Sequence, residues 1–311
     1  MLSRTADSLF WMSRYIERAE NTARLLDVQR QAVLLPSAFE VQHTSFGQLL
    51  AELVSNAKNP SSIFSSIAAA RENCRIARDS VNTDLWETVN TTWLELQSRL
   101  KGGSWQRDPR EFFEWVKERS HLFRGIAIGT MLKDEAFHFM RLGTFIERAD
   151  STARILDSKF DFDSTDREIG SARGAAPDHR VDYYYWASIL RAVSAFEIYR
   201  RVYRDVVTPR RVAELLIQRP DMPRSLLACM NEVCTNLDAV GQRQSNESQR
   251  RAGKLRADLQ YLKIDSAFER EIHAFLQQFV EEVYYLGITM SAEYLGNTSE
   301  PSGQHAIGSS R

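Results

Sequence analysis

One stretch of this chain occurs twice, and that limits its folds more than any other feature. Met1–Asp27 and Met131–Asp157 align at a constant offset of 130. Ile16-Glu17-Arg18-Ala19 returns as Ile146-Glu147-Arg148-Ala149, Thr22-Ala23-Arg24 as Thr152-Ala153-Arg154, and Leu26-Asp27 as Leu156-Asp157. Glu20 becomes Asp150 and Asn21 becomes Ser151, both conservative changes. Two fainter matches follow. Pro60-Ser61-Ser62-Ile63 resembles Pro223-Arg224-Ser225-Leu226 at an offset of 163, and Gly129-Thr130-Met131 resembles Gly287-Ile288-Thr289-Met290. The physical reading is one helical unit per copy, the two stacking to bury a shared core. The larger offset gives the second half an insert, placed at about 161–205.

The apolar periodicity is helical nearly everywhere, and the fourteen glycines and eight prolines fall at breaks. The pattern predicts helices over Ser3–Val33, Phe46–Ala57, a segment ending near Val81, Thr83–Leu100, Pro109–Ile128, Leu132–Phe160, Val181–Tyr203, Pro209–Gln218, Pro223–Val240, Glu247–Lys263 and Ser266–Leu295. Asp161–Pro177, acidic and then Gly/Ala-rich, reads as a loop or disordered insert. The fold expected is all-α: a bundle of about ten to twelve helices forming one domain over 1–295, with pseudo-repeats 1–130 and 131–295. The small polar stretch 296–311 reads as a disordered tail.

A net charge of −1 gives no long-range attraction to nucleic acid or to an anionic membrane. No run of about 18 apolar residues is present to span a bilayer. The N-terminus lacks the apolar segment and small-residue cleavage site of a signal peptide, so the expected location is cytoplasmic. Cys74, Cys229 and Cys234 cannot all pair internally and read as free buried thiols. There is no Gly-rich phosphate loop, Gly-x-Ser-x-Gly elbow or His-Glu-x-x-His sequence, and no cofactor is expected.

The repeated helix carries the chemistry. Leu9, Met12, Ile16, Ala19, Ala23 and Leu26 fall at alternating three- and four-residue spacing, as do Phe139, Leu142, Ile146, Ala149, Ala153 and Leu156. That spacing predicts a buried seam, and its alanines allow a partner helix to come close. Beside the seam runs a polar stripe of Glu17, Glu20, Arg24 and Asp27, copied as Glu147, Asp150, Arg154 and Asp157. Arg18 and Arg148 sit one position off it. Three readings stay open. The stripes are exposed i, i+4 pairs worth a few tenths of a kcal/mol each. They form a buried ionic network fixing how the copies meet. Or they line a site in which carboxylates of shifted pKa do acid–base work and arginines clamp an anion. The candidate polar site is Glu17, Arg18, Glu20, Asn21, Arg24, Glu147, Arg148, Asp150 and Arg154.

Three other features are weighed. Glu118-x-x-His121 and Glu135-x-x-His138 have the spacing of di-iron bundles. In a hairpin turning near Met131 their levels differ by roughly 13 Å at about 1.5 Å rise per residue, so no shared metal site is expected. The aromatics and arginines from Tyr183 to Arg204 read as helix packing with a solvated edge rather than a base-stacking surface. Arg71, Glu72, Arg75, Arg78 and Asp79 form a charged face that is either solvated or a source of partner charges for the Glu17 stripe.

The runs Ile16–Arg24 and Phe145–Arg154, with Asn59-Pro60-Ser61-Ser62-Ile63, Ala70-Arg71-Glu72-Asn73, Ser188–Tyr199 and Pro223-Arg224-Ser225, resemble the Alpha-E family. This is a bacterial helical family of unknown function named for a Glu-Arg motif. The likeness covers nearly the whole chain, to about Leu295, and places the motif at Glu17-Arg18 and Glu147-Arg148. It transfers no catalytic assignment. It implies partners, since members tend to be encoded beside, or fused to, ATP-grasp ligases and transglutaminase-like proteins. The implied role is an accessory or binding component of an ATP-dependent peptide-ligating or peptide-modifying system. The alternatives are a helical enzyme using the Glu-Arg stripes for amide transfer or hydrolysis, and a self-assembling homo-oligomer.

Overall fold

The computed structural model describes residues 1–33, 43–171, 179–241, 246–265 and 268–296. These contain thirteen α-helices and no strand. In chain order they are α1 (Ser3–Val33), α2 (His43–Ser55), α3 (Ile63–Ile76), α4 (Thr83–Lys101), α5 (Ser104–Arg107), α6 (Pro109–Thr130) and α7 (Glu135–Ser171). Then follow α8 (His179–Ala192), α9 (Phe196–Tyr203), α10 (Pro209–Ala213), α11 (Leu226–Val240), α12 (Glu247–Tyr261) and α13 (Phe268–Met290).

The two copies of the repeated segment, α1 and α7, lie against each other at the centre. Around them the neighbours match: α1 packs on α3 and α6, α7 packs on α11 and α13, α3 on α4, and α11 on α12. Local chemistry matches too. Ser62 and Ser225 cap α3 and α11 with nearly identical backbone angles (φ −67°, ψ 153° and φ −68°, ψ 153°). Each hydroxyl accepts from an amide in the first helical turn, at Ser65 and Ala228. Asn82, Asp108 and Asn246 cap α4, α6 and α12 in the same way.

All twelve residues of the two seams are buried. α1 and α7 approach closely at Gly143, where a Cβ would stand 2.1 Å from the Phe10 carbonyl oxygen. Only glycine permits that crossing. A smaller cluster, with Ile63, Leu96, Phe112 and Phe113 fully buried, closes over the far end of α1.

Two expectations fail. The Asp161–Pro177 stretch is not a loop from its start, because α7 runs on to Ser171. Neither glycine nor proline occurs between Gly143 and Gly170, and acidic residues cost a helix only tenths of a kcal/mol each. A helix already packed over its first half propagates through such a stretch. Residues 172–177 lie outside the described residues, as does the expected tail beyond Gly296. The helix expected over Val181–Tyr203 is two helices. Ser194 between them takes a left-handed backbone (φ 54°), unusual for a residue with a side chain.

Candidate functional site

The central feature is an exchange of charge between α1 and α7. Arg148 donates to Glu17 through Nε and Nη2, both at 2.9 Å. Arg18 donates to Glu147 in the same forked manner, at 2.6 and 3.0 Å. Each helix thus gives its arginine to the glutamate of the other, as a two-fold-related contact requires. In sequence, Arg18 and Arg148 stand one position off the polar stripe. That position turns each of them toward the opposite copy rather than toward solvent.

Around this exchange the first copy is more deeply built. Glu17 and Glu20 are buried. Glu20 accepts from Arg24 (2.8 Å), Arg224 (2.6 Å), Arg124 (2.5 Å) and the Ser120 hydroxyl (2.7 Å). Arg124 also reaches Glu17 at 2.9 Å. Arg224 bonds the Asn21 side-chain oxygen at 2.9 Å. Arg24 passes a second hydrogen bond to the Ser194 hydroxyl at 2.5 Å, tying the α8–α9 corner to α1. In the second copy, Glu147 is buried between Arg18 and Arg14. Among the described residues, the hydrogen bond of Asp150 is to Arg154, at 2.9 Å, and Arg154 is about half exposed.

The electrostatics follow. Burial alone would raise the Glu17 carboxyl, but Arg148 and Arg224 outweigh it and hold the group below its ordinary range. Glu20 goes well below that range, because Arg224, His121, Arg124 and Arg24 together overcome its burial. Glu147 is likewise buried, and Arg18 and Arg14 bring it down to about 2. The Arg224 guanidinium is lowered, first by burial and then by Arg148 and Arg24 beside it. Cys74 and Cys229 are pushed up to about 12 by burial.

Of the nine residues singled out in sequence, seven converge: Glu17, Arg18, Glu20, Asn21, Arg24, Glu147 and Arg148. Asp150 and Arg154 pair on a more open edge. Arg14, Ser120, Arg124 and Arg224 were missed. For Arg224 a signal existed: it is the one residue at which Pro223-Arg224-Ser225 departs from Pro60-Ser61-Ser62.

The charged face on α3 does not supply the stripe's partners. Arg71 bonds Asn90, Arg75 pairs with Glu72, and Arg78 reaches the Val81 carbonyl. His138 bonds Asn236, whereas His121 sits near Arg24 and Glu20. Among the described residues, no group of three or more His, Cys, Asp or Glu is placed to hold a metal ion. No helix among them is long and apolar enough to cross a membrane. Within Tyr183–Arg204, Trp186 and Tyr199 are core residues, while Tyr183 and Tyr184 are exposed.

Fold and site together define a class: an all-α protein whose two central, sequence-related helices exchange Glu-Arg pairs. One family model describes such a chain, a predicted alpha-helical domain with a conserved ER motif, and it matches residues 1–295. The protein belongs to this family, Alpha-E. No curated protein and no solved structure matches the chain.

Proposed function

We propose that this protein is a non-catalytic accessory component of an ATP-dependent peptide-ligating or peptide-modifying system, and that its Glu-Arg exchange is a register lock. The observation that carries the lock is that every buried carboxylate of the network already holds arginine partners. A carboxylate kept below its ordinary range stays ionised at neutral pH and is a poor proton donor or acceptor there. The thiols pushed up to about 12 are poor nucleophiles for the same kind of reason. A buried ion network favours one geometry over others more than it adds stability. In a protein built from two similar halves, the geometry needing enforcement is how the halves meet. The association with ATP-grasp ligases and transglutaminase-like proteins is what the family resemblance implies for partners.

The test is pull-down of the full chain with a co-encoded ATP-grasp ligase, followed by ligase turnover with and without it. The expected result is a complex and altered product output. Replacing Glu17 and Glu147 with Gln should lower the melting temperature before it alters output at a temperature where the variants stay folded. Loss of an activity by a variant of unchanged melting temperature would overturn the lock and point to catalysis.

A further inference from the structure

The outer face of α6 presents apolar side chains to solvent near its C-terminal end. Leu122, Ile128 and, just past the helix, Leu132 are 44%, 52% and 80% exposed. Gly125 and Gly129 between them are exposed too, and a Cβ built at either would meet nothing within 4 Å. Single apolar side chains on a surface are ordinary. These are not single. Gly125 lies three residues from both Leu122 and Ile128, and Gly129 lies one turn further on. Helical geometry therefore sets them on one face, as two ridges flanking a notch.

The notch has no use within one chain. Neither glycine has a left-handed backbone, so neither is needed for a turn or a cap. Neither admits a close neighbour, unlike Gly143, whose missing side chain lets α1 and α7 cross. Glycine is among the weakest helix formers, so both positions weaken α6 with no return inside the monomer.

The ends of the face carry opposite charges. Glu118 is exposed on one side of the notch and Lys133 on the other, and neither has an ion-pair partner among the described residues. A surface with an acid at one end, a base at the other and apolar groups between is complementary to itself turned end for end. That is what a two-fold contact between identical chains requires.

We propose that this face of α6 binds the same face of a second copy, with the two helices antiparallel about a two-fold axis passing between Gly125 and Ile126. That axis sets Leu122 of each copy against Gly129 of the other, and Glu118 of each against Lys133 of the other. The glycines let the helices come close enough to enclose the leucines, because interaxial distance is set by the side chains at the contact. The contact is one helix wide, which places it among small, weak interfaces, so the dimer forms as concentration rises. It uses none of the carboxylates of the Glu-Arg network and does not depend on the ligation reading.

The experiment is sedimentation velocity on the full chain from about 1 μM to about 1 mM. The expected result is a shift from monomer to dimer within that range. Gly125→Gln should raise the dissociation constant about tenfold or more, because its side chain fills the notch and holds the helices apart. Its melting temperature in dilute solution should stay level or rise, since the space around Gly125 is open and glutamine is the better helix former. Glu118→Lys and Lys133→Glu should each weaken the dimer about threefold, and combining them should restore it, because the pair is remade across the axis with its charges exchanged. A monomer throughout the range, a dimer indifferent to Gly125→Gln, or a double charge reversal no tighter than the single ones would overturn the proposal. These outcomes are separable from failure of the ligase pull-down, since no ligase enters the measurement.

Discussion

The two copies of the Glu-Arg segment began with the same charges and now sit in different surroundings. In the first copy, Glu20 is enclosed and bonded to three arginines and a serine. In the second, the matching Asp150 is hydrogen-bonded to one partner among the described residues, and that partner is half in water. What the copies still share is the reciprocal pair, Arg148 on Glu17 and Arg18 on Glu147. The exchange is the part that needs two-fold matching, because each arginine must find the other copy's glutamate. The flanking acid has no such constraint, and there the halves diverged. One became the centre of a buried cluster and the other stayed an edge ion pair.

The largest expected effect breaks that difference at its deeper end. Glu20→Gln leaves Arg24, Arg124 and Arg224 facing one another without their shared anion. Removing one partner from a buried ionic group costs about 3–5 kcal/mol. Thermal denaturation should show a loss on the order of 10 °C, given about 2–4 °C per kcal/mol for a large domain. A shift of only a degree or two would mean that the cluster is hydrated rather than dry.

Next comes Gly143→Ala, which acts on the crossing that holds the exchange in register. Its Cβ would meet a backbone oxygen, not the end of a flexible side chain, so one helix must move. Overpacking of this kind costs about 1–3 kcal/mol or more. The reciprocal change, Ser13→Gly, adds no atom and should leave the crossing in place. Urea denaturation of the two variants side by side checks the asymmetry directly.

Much of this was legible in the chain itself, for identifiable reasons. The seams of α1 and α7 follow from spacing alone, since helical geometry fixes which residues share a face. The likeness of Pro60-Ser61-Ser62 to Pro223-Arg224-Ser225 was visible too, but the caps at Ser62 and Ser225 were not read from it, and α11 starts at Leu226 rather than at the expected Pro223. The glutamates stood out because they recur. Their partners did not: Arg124 and Arg224 lie 107 and 204 residues from the acids they bond. No periodicity connects groups so far apart, and only the assembled bundle brings them together. Ser194 was hidden for another reason. The backbone break there serves the contact with Arg24, and a continuous helical pattern runs through it.

The pH dependence sharpens the comparison further. The Glu147 carboxyl falls from an ordinary 4.5 to about 2, and Glu17 and Glu20 are also depressed. A depressed carboxyl adds stability above its unfolded pKa and loses it as pH falls through the folded value. The exchange should therefore be at full strength above pH 4.5 and weaken toward pH 2. Asp7, raised by burial, works in the opposite direction. Melting temperature measured across this window should fall on acidification, and more shallowly in Glu147→Gln, which has no proton to take up at that position.

The smallest effect belongs to Asp150→Asn, the counterpart of the first substitution. Arg154 is about half exposed, and the pair is an i, i+4 contact on one helix, so water competes for both partners. Exposed pairs of this geometry contribute about 0.3–0.5 kcal/mol. The melting temperature should move by about 1 °C, on the same scale of about 2–4 °C per kcal/mol, and the shift should shrink in high salt, since screening weakens exposed pairs most. A loss approaching that of Glu20→Gln would mean that Asp150 is drawn into the network in solution. The two halves would then still be equivalent at this position, and the asymmetry argued from their surroundings would fail.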